Sequence, residues 1–265
     1  MSAGAPVAVS RLAVLGALLR RDARVARREL PSFLVRTIMQ PVLFLVVFGY
    51  LLPRMGFVRA GYTAALLPGI IAVSLTLSSV QSVALPMVQD FGFTREIEDR
   101  LLAPVPTSLI ALEKVLSGAL QGVVAALVVL PLARLIMGPI DELHLPNAAL
   151  ALGVTLLGST VFASLGLVIG TAISAQQIGL MFSIIVAPML MFGCAYYPWR
   201  GLDATPAFKY GVLVNPLVYV AEAMRGALTP TLPHMPLGVA CGAMAALTAL
   251  FLAVGLRTFH RRALS

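Results

Sequence analysis

The stretch "FGFTREIEDRLLAPVPTSL", Phe91 to Leu109, carries charge at five of the six positions from Arg95 to Arg100 and lies between two long uncharged tracts. Residues 60–89 precede it and residues 115–133 follow it without an acidic or basic side chain. Each tract holds one membrane-crossing helix, which needs about 20 mostly apolar residues. The charged stretch is therefore a connection between two spans.

The composition agrees. The chain of 265 residues is 59% hydrophobic and 11% charged, with a mean hydropathy of +0.95, against roughly 25% charged in soluble domains. This is an all-α membrane protein. The formal charge of +8 does not indicate nucleic acid as a partner, because only Lys114 and Lys209 are lysines and most arginines flank apolar runs. Membrane orientation accounts for that distribution.

The same length criterion extends along the chain. Residues 37–53 hold a first span, and the uncharged gap from Leu145 to Trp199, 55 residues, holds two, with the polar "SAQQ" at Ser174 to Gln177 as the turn between them. Met235 to Leu256 supplies a sixth transmembrane helix. An even count puts both termini on one side. Arg11, Arg20, Arg21, Arg24, Arg27, Arg28 and Arg36 precede the first span, and Arg257, Arg261 and Arg262 follow the last. The positive-inside rule makes that side cytoplasmic, and the charged stretch with it.

Residues 1–33 read as a separate element. Leu12, Leu15, Leu19, Ala23, Ala26 and Leu30 share one helical face and Arg20, Arg21, Arg24, Arg27 and Arg28 another. Such an amphipathic helix suits the membrane surface, its arginines among anionic head groups; a soluble helix packed on a partner is the alternative. No signal-peptide pattern opens the chain, so its start is expected to remain. Residues 34–265 form the six-helix domain.

In the opening stretch, Phe93, Ile97 and Leu101 stack at i, i+4 and i+8 between Arg95, Glu96, Glu98, Asp99 and Arg100, with Glu96 and Arg100 a favourable pair. Pro104 and Pro106 end the element. Spacing alone leaves open whether it docks on a partner or is an ordinary solvated loop helix. The connection from about 198 to 235 is too apolar for a solvated loop, and Asn215 and Pro216 predict a cap and first position of a short helix there. That helix carries Glu222 and Arg225, three apart and able to pair. Tyr196, Tyr197, Trp199 and Tyr219 cluster nearby, either as interfacial anchors or as the lining of an exit path.

Cys194 and Cys241 lack metal or redox spacing and read as packing residues. Glu113 and Lys114 are expected to snorkel from the third span. A Walker-type loop needs Gly-Lys followed by Ser or Thr, whereas Lys114 follows Glu113 and Lys209 follows Phe208.

Six spans, a basic interfacial N-terminal helix, "REIEDRLLAPVPTSLIALEK" between spans two and three and "NPLVYVAEAMRG" before the last span together resemble the ABC-2 family of transporter permeases, in the branch of nodulation-factor and daunorubicin-type exporters. The resemblance implies a homodimer of permeases served by two copies of a separate ABC ATPase, in the bacterial inner membrane. It implies no cofactor in this chain, ATP and magnesium belonging to the ATPase. It further implies that Phe93, Arg95, Glu96, Ile97, Glu98, Asp99, Arg100, Leu101, Leu102 and Pro104 form the coupling helix that meets the ATPase. Short re-entrant helices between spans five and six are implied to hold Asn215, Pro216 and Tyr219. The expected activity is export of an amphipathic lipid-like or drug-like substrate, with a polysaccharide or lipid-linked glycan as the alternative. A gradient-driven transporter would need ionisable residues inside several spans, and between residues 37 and 89 only Arg54 and Arg59 occur.

Overall fold

The computed structural model describes Gly16 and residues 30–58, 61–94, 106–139 and 147–263. Arg20, Arg21, Arg24, Arg27 and Arg28, and the stretch from Arg95 to Pro104, lie outside the described residues; Phe93 is described by its backbone alone. Among the described residues all regular structure is helical.

Helix α1, Leu30–Phe44, starts with Pro31 in its first turn and continues through a π-helical turn, Leu45–Leu51, to Arg54. Helix α2, Tyr62–Gln89, continues as a π-helical turn, Asp90–Thr94, up to the charged stretch. Helix α3, Thr107–Met137, begins after Pro106, whose backbone is extended, and ends at Gly138, where a φ of +83° suits glycine. Helix α4 is Ala148–Ala172. A turn at Ser174–Gln177, where the Gln177 amide donates to the Ser174 carbonyl at 3.1 Å, leads to α5, Ile178–Met191. Two short helices follow, α6 at Pro206–Gly211 and α7 at Pro216–Leu228, and α8 runs Leu237–Ala263.

Among the described residues five helices are long and apolar enough to cross a membrane: Thr37–Arg54, Tyr62–Gly92, Thr107–Met137, Ala148–Ala172 and Leu237–Ala263. The expected fifth span is shorter than the sequence led us to expect. Its apolar helix, Ile178–Met191, rises only about 21 Å at 1.5 Å per residue, less than the roughly 30 Å of hydrocarbon. It ends where Cys194 turns into the left-handed region, φ +53°.

Helix α2 carries no charged side chain and its apolar residues are spread over every face, a pattern that belongs in the interior. It lies at the centre, packed on α3, α4 and α7, while α8 packs on α4. Small residues permit this closeness. A Cβ on Gly166 of α4 would stand 2.8 Å from the Val80 carbonyl, and one on Gly170 would stand 2.7 Å from the Met87 Cβ. The two are four apart, the small-xxx-small spacing that brings membrane helices together. Val35, Met39 and Leu43 of α1 and Leu116, Leu120 and Leu127 of α3 are exposed, as lipid-facing side chains would be.

Glu113 and Lys114 do not snorkel. Both are buried, Glu113 completely, inside the packing of α3. The helix begins six residues before Glu113, at Thr107, and a span's own sequence does not report the neighbouring helices that cover both side chains. Both cysteines are free, Cys194 fully buried and Cys241 half-buried.

Candidate functional site

Helix α7 begins at a local capping device. Asn215 is its N-cap: Oδ1 accepts from the Leu217 amide at 2.9 Å, and Pro216 fills the first helical position, where no amide donor is needed. The Asn215 Nδ2 donates to the Met189 carbonyl at 2.7 Å, tying the start of α7 to the end of α5.

Two turns on, Glu222 and Arg225 face the interior, each at 0% exposure. Arg225 Nη1 donates to Glu222 Oε1 at 2.6 Å. The rest of the guanidinium is taken up by backbone: Nε donates to the Ala65 carbonyl of α2 at 3.1 Å, and Nη2 to the carbonyls of Cys194 and Ala195 at 2.5 and 3.0 Å. Glu222 accepts from two backbone amides, Trp199 on Oε1 and Met235 on Oε2, both at 2.8 Å. One ion pair thus joins four segments: α7, the start of α2, the 194–199 loop and Met235, two residues before α8. A buried charge must be paired and fully hydrogen-bonded to persist, and this pair satisfies that by binding backbone. It is a clamp, with no face left to a passing molecule.

Gly69 completes it. A Cβ there would collide with the Ala195 carbonyl group, so only glycine lets the loop lie on α2. The left-handed Cys194 turns two successive carbonyls toward Arg225, a conformation that costs about 1–3 kcal/mol outside glycine.

The aromatic residues surround this clamp. Tyr196 lies tilted against Phe44 of α1 and stacks on Phe48 in the π-helical turn that follows, ring centroids 5.0 and 5.8 Å away, and its buried hydroxyl has no partner among the described residues. Trp199 donates its indole N–H to the Lys209 carbonyl at 3.0 Å, and the Lys209 ammonium lies 4.3 Å from its ring centroid while pairing with Asp203 at 2.5 Å. Tyr219 donates to the Leu213 carbonyl at 2.8 Å, and Tyr197 is half-buried on the main core. All eight residues expected here, Tyr196, Tyr197, Trp199, Asn215, Pro216, Tyr219, Glu222 and Arg225, stand at this end of the bundle. Gly69, Ala65 and Cys194 were missed: backbone carbonyls carry no sequence signal, and the one trace of Gly69 is a glycine inside a helical pattern.

A second polar feature lies between α1 and α2, where Thr37, Gln40, Ser74, Ser78 and Gln81 line a cavity of about 30 Å³, room for a single water. The far end of α2 continues as a π-helical turn, Asp90–Thr94, with Asp90 buried, and the charged stretch follows it in sequence.

The sequence pattern of the ABC-2 type transporter family matches residues 13–229, which include the charged stretch, α7 and the clamp residues from Ala65 to Arg225, with Met235 just beyond. The chain belongs to the ABC-2 transporter family. The inner membrane transport permease YadH of Escherichia coli K12 is 29% identical over 201 residues, 72% of this chain and 75% of YadH. The YadH proteins of Escherichia coli O157:H7 and Shigella flexneri give the same figures. As an ABC-2 permease this chain is the membrane subunit of an ABC transporter, a transport subunit, and its family implies an ABC ATPase as partner.

Proposed function

We propose that this ABC-2 permease is the membrane half of an exporter that moves an amphipathic, lipid-like or drug-like substrate outward, driven by an ATPase that docks on Phe93, Arg95, Glu96, Ile97, Glu98, Asp99, Arg100, Leu101, Leu102 and Pro104. The observation that carries the reading is the continuity of α2. Of the five helices long enough to cross a membrane among the described residues, α2 is the most enclosed, and it runs on through its π-helical turn to Thr94, one residue before the charged stretch. A push received there reaches α3, α4 and α7 through direct packing. Nucleotide can shift the spans only if the docked ridge fits the ATPase differently in its two states, and a ridge of Phe93, Ile97 and Leu101 on a rigid rod meets that requirement.

The working unit is a homodimer with two ATPase copies in the bacterial inner membrane, both termini cytoplasmic. Residues 34–265 form the transmembrane domain. Helix α5 is the fifth of six crossings, and α6 and α7 enter partway from the outer side and return. Irregular backbone at membrane depth is tolerated where protein covers it, and the Glu222–Arg225 clamp supplies that cover. Tyr196, Tyr197, Trp199 and Tyr219 then flank the exit. Residues 1–33 lie on the cytoplasmic surface through Arg20, Arg21, Arg24, Arg27 and Arg28.

Charging or truncating an anchor at a packed interface costs about 2 kcal/mol or more. Ile97→Asp, or reversal of Glu98 and Asp99, is therefore expected to lower ATP-driven export of a fluorescent amphipath from proteoliposomes by about 30-fold, with the protein still inserted. Undiminished export would defeat the docking role.

A further inference from the structure

At the Phe91 end of the bundle, the last turn of α8 grips three other elements. Helix α4 ends at Ala172, and its final carbonyls have no partner within the helix. Arg262 Nη1 donates to the carbonyls of Thr171 and Ile173, each at 2.9 Å, and lies 3.3 Å from that of Gly170. A cation at this position also opposes the negative end of the helix dipole.

The same guanidinium stands over the ring of Phe91, 4.8 Å from its centroid. Phe91 lies in the turn by which α2 enters the charged stretch, and it meets Phe259 edge-on at 5.7 Å. Phe259 is fully buried in a cluster with Met87, Ile110 and Leu167. One residue on, His260 Nδ1 lies 3.2 Å from the hydroxyl of Thr107, the first residue of α3. Residues 259–262 thus hold the foot of the charged stretch on α2, its foot on α3, and the end of α4, from which the chain turns into α5.

We infer that the last turn of α8 is the element that carries motion of the ATPase-facing stretch to α4 and α5, with Arg262 as its positioning residue. The inference rests on the reading of Arg95–Pro104 as the docking site. Coupling needs a contiguous set of packed and hydrogen-bonded groups, and Arg262 bonds the end of α4 while covering Phe91 at a foot of the stretch. Without Arg262 the stretch still docks, and the ATPase still turns over. The end of α4 no longer follows.

The test uses the full chain, Cys241 replaced by serine, purified with its ATPase and carrying Ser174→Cys in the turn after α4. The readout is the ratio of maleimide labelling rates at that position with and without ATP. A merely structural role for Arg262 would lower yield or thermal stability and leave this ratio intact. Arg262→Ala is expected to shrink the ATP-dependent ratio by roughly 2- to 30-fold, the range of mutations along coupling networks, with ATPase recovery and hydrolysis unchanged. Arg262→Lys, whose ammonium also offers donors to the three carbonyls, is expected to restore most of it. Should Arg262→Ala not fold, Phe91→Leu keeps the apolar burial, removes the ring beneath the guanidinium, and is expected to shrink the ratio in the same direction. An unchanged ratio in whichever of these variants folds overturns the inference. Ile97→Asp separates the two levels: loss of the ATPase from that variant supports the docking reading, and its retention with normal hydrolysis and an intact ratio overturns that reading and the inference with it.

Discussion

Replacing Arg225 by alanine is expected to destabilise the protein by about 3–5 kcal/mol, the cost of leaving one member of a buried ion pair alone. Glu222 would keep its charge at 0% exposure, and the carbonyls of Ala65, Cys194 and Ala195 would each lose a donor. The measurement is thermal unfolding in a mild detergent. Glu222→Gln, which keeps acceptors for part of the amide set and removes the charge, is expected to fall between parent and Arg225→Ala. A buried pair can often be exchanged for apolar residues at little cost. Here the double variant Glu222→Leu with Arg225→Met is expected to fail as well, because the amides of Trp199 and Met235 and three carbonyls remain unmet, at about 1–3 kcal/mol for each group. A double variant as stable as the parent would show that these backbone contacts contribute nothing.

Gly69→Ala is expected to disrupt the same knot from the other side. The added carbon would overlap the Ala195 carbonyl, a backbone atom that cannot rotate away. Moving the loop breaks the Ala195–Arg225 bond and unseats Trp199 from Glu222. The loss combines overpacking, about 1–3 kcal/mol, with the hydrogen bonds that follow it. Gly153 is the control: it lies within α4, and a Cβ there meets nothing within 4 Å. Gly153→Ala should be neutral or gain up to about 1 kcal/mol in helix propensity. The folded fraction recovered from membranes by size-exclusion chromatography distinguishes them, and equal recovery of Gly69→Ala and Gly153→Ala would refute the close approach.

What could be read from the sequence follows the range of each interaction. Asn215 and Pro216 were legible because a cap is decided within three residues, and the turn at Ser174–Gln177 because Ser174, Gln176 and Gln177 interrupt an apolar run. The pairing of Glu222 with Arg225 follows from their helical spacing. Their further partners did not, since these are backbone groups up to 160 positions away. The length of α5 was misjudged because hydropathy continues past Met191 while the helix stops before the left-handed Cys194. The burial of Glu113 and Lys114 depends on neighbouring helices, and a span's own sequence does not report those. Arg262 is the same case: its charge reads as topology, whereas its bonds to the end of α4 arise only when the bundle closes.

The central claim, that the stretch from Phe93 to Pro104 receives work from an ATPase, is tested most directly by placing a photo-crosslinking amino acid at Ile97 and, as a control at the opposite end, at Tyr210. Cells carrying the tagged chain are irradiated and the chain is recovered in mild detergent. An ABC ATPase cross-linked through position 97 and absent at position 210 is the expected result. Recovery of the chain without an ATPase at every detergent strength, or cross-links to it only through position 210, would contradict the account.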